Sequence, residues 1–120
     1  MEFTQQDLNL NTVVSIDESS ITLSHTQLNI PCFISSNRAE EISISSLQDI
    51  TKETLFPLLS QDSLNLLIIG TGKQSKFLSP KQQVSLSELG LGVECMSNIS
   101  ACSSFNLLLS DLRLVGLLIL

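Results

Sequence analysis

The sequence predicts a compact α/β domain, with buried strands, helices between them and a hairpin region at the N-terminus. Three observations carry this expectation. Leu66-Leu67-Ile68-Ile69 is an apolar run of strand length that stops at Gly70-Thr71-Gly72-Lys73, as a strand buried on both faces does on entering a tight loop. Residues 90–120 repeat the theme: a short apolar segment, a helix-like segment, then another apolar strand. Hydrophobic residues make up 42% of the chain and aromatic ones only 4%, so the core is built from Leu, Ile and Val.

The elements follow in order. Residues 1–12 are polar and read as a flexible segment, and residues 13–120 as one domain, long enough for a single core. Asp17-Glu18-Ser19-Ser20 separates Val13–Ile16 from Ile21–Leu23 and suggests a hairpin. Leu28, Ile30, Phe33 and Ile34 suggest a further strand, and Ser35-Ser36-Asn37-Arg38 a turn. Ile42 and Ile44 alternate with serines, which is half-buried strand spacing. Thr51 is placed to cap a helix whose apolar stripe is Leu55, Leu58 and Leu59, with Pro57 shortening or kinking it. Ser79-Pro80 starts a second helix, which Gly90 stops. Leu91–Cys95 is a short strand. Ser97 or Asn98 caps a third helix, whose Ala101, Phe105 and Leu108 share a face, and Val115–Leu120 closes the sheet.

Composition excludes several functions. The net charge is −6 and the six basic residues form no cluster, so nucleic-acid binding is not expected. The apolar tail from Leu107 is broken by Asp111 and Arg113 and is too short to span a bilayer, so no membrane insertion is expected. Met1 to Asp7 resemble neither a signal nor a transit peptide, and the three cysteines form no CxxC pair. Reduced thiols and a cytoplasmic location are the expectation. No cofactor fingerprint, metal cluster or nucleophile–base pair stands out, so no catalytic residue is assigned. The Asn98-Ile99-Ser100 sequon reads as chance.

Two groups of residues remain as candidates. Gly70-Thr71-Gly72-Lys73 lacks the spacing of a P-loop and the hydroxyl for magnesium, so it reads first as a structural turn and second as a weak anion site using Lys73. With Ser97, Asn98 and Cys102 at the start of the third helix, it outlines a candidate ligand-binding cleft beyond the carboxyl ends of the strands. Cys102 is read as a small buried thiol rather than a nucleophile. The second group is Glu94 and Arg113, opposite charges in apolar surroundings, expected to form a buried ion pair.

Four linked motifs, in order, carry a resemblance: Gly70-Thr71-Gly72-Lys73, Gly90-Leu91-Gly92-Val93-Glu94-Cys95-Met96, Ala101-Cys102-Ser103-Ser104-Phe105-Asn106 and Asp111-Leu112-Arg113. They resemble the Mth-type domain-of-unknown-function family, which includes the mitochondrial respiratory complex I assembly factor three. The chain departs from the family pattern at Ser103, Ser104 and Phe105, where Arg-Thr-Tyr is usual, at Ser97-Asn98, where Asp-Thr is common, and at Cys32, where a Trp usually follows the proline. The resemblance implies a three-layer α/β fold with a central mixed sheet, helices packed on it, and no established enzyme activity. It implies a non-enzymatic interaction or assembly-accessory role with a protein partner; self-association as a homodimer through the apolar C-terminal segment is the competing expectation. The alternative is a small-ligand-binding protein or an undiscovered enzyme using the Gly70–Lys73 cleft. Any of Leu117 to Leu120 left at a sheet edge would offer a strand-adding contact.

Overall fold

The computed structural model describes residues 9–120. Two sheets form. Strands β1 (Val13–Ile16), β2 (Ser20–Leu23) and β3 (Gln27–Asn29) make a small antiparallel sheet in that order. The larger mixed sheet runs β5-β4-β8-β6-β7, where β4 is Cys32–Ile34, β5 Ala39–Glu41, β6 Leu66–Gly70, β7 Gly92–Met96 and β8 Val115–Ile119. Helices α1 (Lys52–Leu59) and α2 (Pro80–Ser87) cover one face, and α3 (Asn98–Ser110) with the small sheet covers the other. The expected three-layer architecture is present.

Alternation along the central strands explains the layers. In β8, Val115, Leu117 and Ile119 face α3 and the small sheet, while Leu118 faces the α1/α2 layer. In β6, Ile68 points to the first layer and Leu67 and Ile69 to the second. All these side chains are buried, so each contributes about 1.5–3 kcal/mol of transfer free energy. That two-sided burial is why both strands read as continuous apolar runs.

The helix starts follow the local chemistry. Thr51 and Thr54 form a capping box at α1, and Ser79 and Gln82 form one at α2, with Pro80 at its first position. Ser97 caps α3. Pro57 lies inside α1, which ends two residues later. At the hairpin the Asp17 carboxylate accepts the N–H groups of Ser19 and Ser20, both at 2.8 Å. The Asn106 side chain bonds both backbone groups of Val13, accepting at 2.8 Å and donating at 3.0 Å, and so stitches the small sheet to α3.

Several expectations are corrected. The single strand expected over Leu28–Ile34 is two strands, β3 and β4, in different sheets, with Ile30-Pro31 between them. The strand expected at Ile42 and Ile44 lies earlier, at Ala39–Glu41, because β5 pairs with β4 across the Ser35–Arg38 turn. The C-terminal segment is not an edge: β8 lies between β4 and β6, and Leu117 to Ile119 are fully buried. Most of the segment expected to be flexible, residues 1–12, lies outside the described residues. Asn11 and Thr12, however, are buried, and Asn11 Nδ2 donates to the carbonyls of Ser35 and Arg38. No helix of the described residues is long and apolar enough to cross a membrane.

Candidate functional site

The loop after β6 is shaped by a close approach. A Cβ on Gly70 would stand 2.5 Å from Asn98 Oδ1 and 2.6 Å from Ile119 Cδ1, so a side chain here would displace Asn98 and turn Ile119 aside. Gly72 follows with φ of +100°, a conformation that other residues rarely adopt. The turn then clasps the start of α3. Gly72 N–H donates to Asn98 Oδ1 at 2.9 Å, and Asn98 N–H donates to the Gly72 carbonyl at 2.8 Å. Thr71 N–H donates to the Met96 carbonyl at 2.9 Å, and Thr71 Oγ1 donates to the Gln74 carbonyl at 2.8 Å. The amides of Thr71 and Gly72 are thus committed inside the fold. A phosphate-binding loop needs such groups directed at its ligand.

The expected cleft divides. Gly72, Lys73, Ser97 and Asn98 share a cavity of about 360 Å³ with Ile16, Asp17, Glu18 and Ile99, between the loop, the start of α3 and the β1–β2 hairpin. Thr71 lines a separate cavity of about 550 Å³ with Lys76, Ser79, Gln82 and Leu120. Gly70 is buried and lines neither. Cys102 is corrected: α3 begins at Asn98, so the thiol falls on its second turn, fully buried in the layer beneath the sheet. Burial pushes this thiol up to about 12, with Cys32 adding to the shift, so it is no nucleophile near neutral pH.

The electrostatics of the first cavity oppose anions. Lys73 Nζ lies 2.7 Å from Glu18 Oε1, and both side chains are exposed. The Lys73 ammonium, hydrogen-bonded to Glu18, holds that carboxyl below its usual range. Asp17, beside it, is also held low, by the N–H groups of Ser19 and Ser20. Two carboxylates against one ammonium make an unfavourable seat for phosphate. Among the described residues no cluster of three His, Cys, Asp or Glu is placed to hold a metal ion.

The expected Glu94–Arg113 pair does not form. Both residues are exposed, and among the described residues no ion pair joins them. The reason is the sheet order. Among the described residues β7 is an edge strand, paired with β6 alone, so a residue in an apolar run can still face water. A part-buried ion pair lies elsewhere. Arg38 Nη1 sits 2.5 Å from Asp62 Oδ2, and the two side chains are 13% and 6% exposed. The same guanidinium donates to the Leu58 carbonyl at 2.6 Å and stands 5.1 Å from the centre of the Phe33 ring. Arg38 was read only as a turn residue, since nothing in the sequence connects it to Asp62.

The β7 edge has the shape of a binding groove. A depression of about 560 Å³ lies between it and α2, walled by apolar Phe77, Leu78, Leu91 and Val93 and by polar Gln83, Ser87 and Glu94. Gly92 N–H donates to the Asn65 carbonyl and the Met96 carbonyl accepts from Thr71, so the even-numbered residues bond to β6. By the alternation of a parallel ladder, the backbone groups of Val93 and Cys95 point away from it. Phe77 is 78% exposed beside this groove, and Val84 of α2 is 68% exposed.

Comparison with known proteins extends this picture. NADH dehydrogenase [ubiquinone] 1 alpha subcomplex assembly factor 3 of Mus musculus is 30% identical over 88 residues, covering 72% of this chain and 47% of the relative. The chain thus spans about half the length of the curated relatives it matches. A crystal structure of a protein from Bordetella parapertussis superposes with a TM-score of 0.81 at 24% identity, over 96% of this chain and 98% of that one. A solution structure of a Mth938-like domain from Bordetella pertussis gives a TM-score of 0.76 at 22% identity, over 100% of this chain and 91% of that one. At these identities the structures establish the fold. Residues 13–120 match the family described as "Protein of unknown function (DUF498/DUF598)", and the chain belongs to that family.

Proposed function

We infer that this protein acts by binding another protein, as an assembly accessory without turnover of its own. The observation that carries the reading is the open β7 edge: backbone groups at Val93 and Cys95 that point away from β6 and have no partner among the described residues, beside a groove lined by apolar and polar side chains together. Such an edge takes an extended segment by strand addition, with backbone hydrogen bonds giving affinity and side-chain pockets giving selectivity. Glu94, exposed at the middle of β7, selects the occupant. Two copies paired antiparallel about this residue would set Glu94 against Glu94, which is destabilising. A partner segment with Lys or Arg opposite Glu94 and apolar residues beside it is favoured. The relatives named as complex I assembly factors support an assembly role.

A second reading rests on the cavity at Gly72, Lys73, Ser97 and Asn98. Its volume suits a small ligand, and its charge favours a neutral or cationic one over an anion.

The test is affinity purification of the tagged chain from its native cell, with mass spectrometry, against Val93→Pro. The proline removes an outward N–H and leaves the β6 ladder intact. A partner enriched by the parent chain and lost with the folded variant supports strand addition. A metabolite copurifying with both, and no enriched protein, replaces it with the second reading.

A further inference from the structure

The C-terminal end of α3 breaks three local rules in succession. The helix closes in a Schellman turn: Arg113 N–H donates to the Leu108 carbonyl and Leu112 N–H to the Leu109 carbonyl, each at 3.0 Å. The residue after the cap in that turn takes the left-handed conformation and is usually glycine. Here it is Leu112, with φ of 59°. Leu112 is also 90% exposed, so packing within the chain does not explain its side chain. Asp111, at the cap, places a carboxylate at the negative end of the helix, and no basic residue occupies the last turn. Leu107 and Leu114, in the same stretch, are 65% and 48% exposed.

Conflicts between local preference and sequence concentrate at functional sites, and strained backbone persists there for the same reason. One occupant would cover the exposed leucine and pair the unpaired charges, and so compensate the strain held at Leu112. We propose that Leu112 and its flanking charges form a two-fold contact between two copies of this chain. With a symmetry axis at Leu112, the two leucines meet, and Asp111 of each copy faces Arg113 of the other. Asp111-Leu112-Arg113 is self-complementary, as an isologous interface requires. The incoming Arg113 brings a cation to the carbonyl end of α3 as well as to Asp111. Asp111 and Arg113 are both exposed, and among the described residues neither has an ion-pair partner in its own chain. None of these residues lines the β7 groove, so this contact and partner binding at β7 stand or fall separately.

Three exposed leucines bury less than a standard interface, so the dimer is weak, with Kd of about 0.1–1 mM. Sedimentation of the chain from about 10 μM to about 1 mM tests it. A concentration-dependent shift from monomer to dimer is expected. Leu112→Gly abolishes the shift while raising the thermal midpoint by about 5 °C, since it relieves the left-handed strain. Asp111→Arg and Arg113→Asp each remain folded and monomeric. Mixed in equal amounts they associate again, because each then presents the charge the other lacks. A parent chain monomeric at about 1 mM overturns the proposal. So does a dimer that survives all three substitutions, or a mixture that stays monomeric. A chain that stays monomeric but loses a captured protein on Leu112→Gly assigns the surface to that protein and equally overturns self-association.

Discussion

Gly70→Ala is the perturbation that tests most sharply how the loop holds α3 against the sheet. The added methyl would meet Asn98 Oδ1 at 2.5 Å, Ile119 Cδ1 at 2.6 Å and Ala101 Cβ at 3.4 Å. The Ile119 methyl is the far end of a flexible side chain and can rotate. Asn98 cannot move without loss, because its Oδ1 accepts Gly72 N–H at 2.9 Å. Overpacking in a buried site costs about 1–3 kcal/mol. Losing the Asn98 bond adds about 1 kcal/mol. Reduced freedom of the unfolded chain offsets about 0.4–1 kcal/mol. The net destabilisation is about 2 kcal/mol. In urea, with a slope of about 2 kcal/mol/M, the midpoint falls by about 1 M at unchanged slope. The double variant Gly70→Ala/Asn98→Ala locates the cause. With the amide side chain gone, the methyl has room, and the cost of the alanine shrinks by about 1 kcal/mol. A Gly70→Ala protein within about 0.5 kcal/mol of the parent, well below the overpacking range, would refute the reasoning. An equal cost in both backgrounds would refute the role given to Asn98.

Three further outcomes are expected. Arg38→Ala leaves the Asp62 carboxylate and the Leu58 carbonyl without their donor, and costs about 2–3 kcal/mol by urea unfolding; a loss below about 1 kcal/mol, typical of surface pairs, contradicts the burial assigned to the pair. Native labelling with iodoacetamide at pH 8 modifies Cys95, which is half-buried, while Cys32 and Cys102, pushed up to about 12 by burial, react only on unfolding; equal reaction of all three in the native protein contradicts the buried placement. Asp17 has its folded pKa lowered by the Ser19 and Ser20 N–H groups, so its stabilising contribution is present above the unfolded value of 3.8 and is lost as pH falls below it; Asp17→Asn flattens that acid limb of the stability curve, and an unchanged limb assigns it to other carboxylates.

Sequence made legible what is set by local chemistry or by two-sided burial. The caps at Thr51 and Ser79 were readable because a hydroxyl there satisfies a helix N–H whatever the tertiary context, and of the two candidates Ser97 and Asn98 the third helix uses Ser97. β6 and β8 were readable because strands buried on both faces carry continuous apolar runs. Strand order was not readable, and the errors follow from it. The strand expected over Leu91–Cys95 was expected to bury Glu94, but the strand observed, β7, is an edge strand and Glu94 faces water. Leu117–Leu120 was considered as an exposed edge, but β8 lies inside the sheet. The Arg38–Asp62 pair was missed because its partners are 24 residues apart and meet only through tertiary folding. At the candidate cleft Gly72 and Asn98 meet through a hydrogen bond that no spacing in the sequence announces, and the helix register that buries Cys102 depends on α3 starting at Asn98.

The most direct measurement of the central claim is residue-resolved amide hydrogen exchange on the protein alone and with the partner captured from its native cell. Alone, the outward N–H groups of Val93 and Cys95 exchange fast, while those of Glu94 and Met96, bonded to β6, are protected. With a strand-adding partner bound, Val93 and Cys95 become protected together, slowing by about 100-fold or more when the partner is held at 100 times its Kd. Protection that appears instead around Gly72, Ser97 and Ile99, with Val93 and Cys95 unchanged, would contradict binding at the β7 edge.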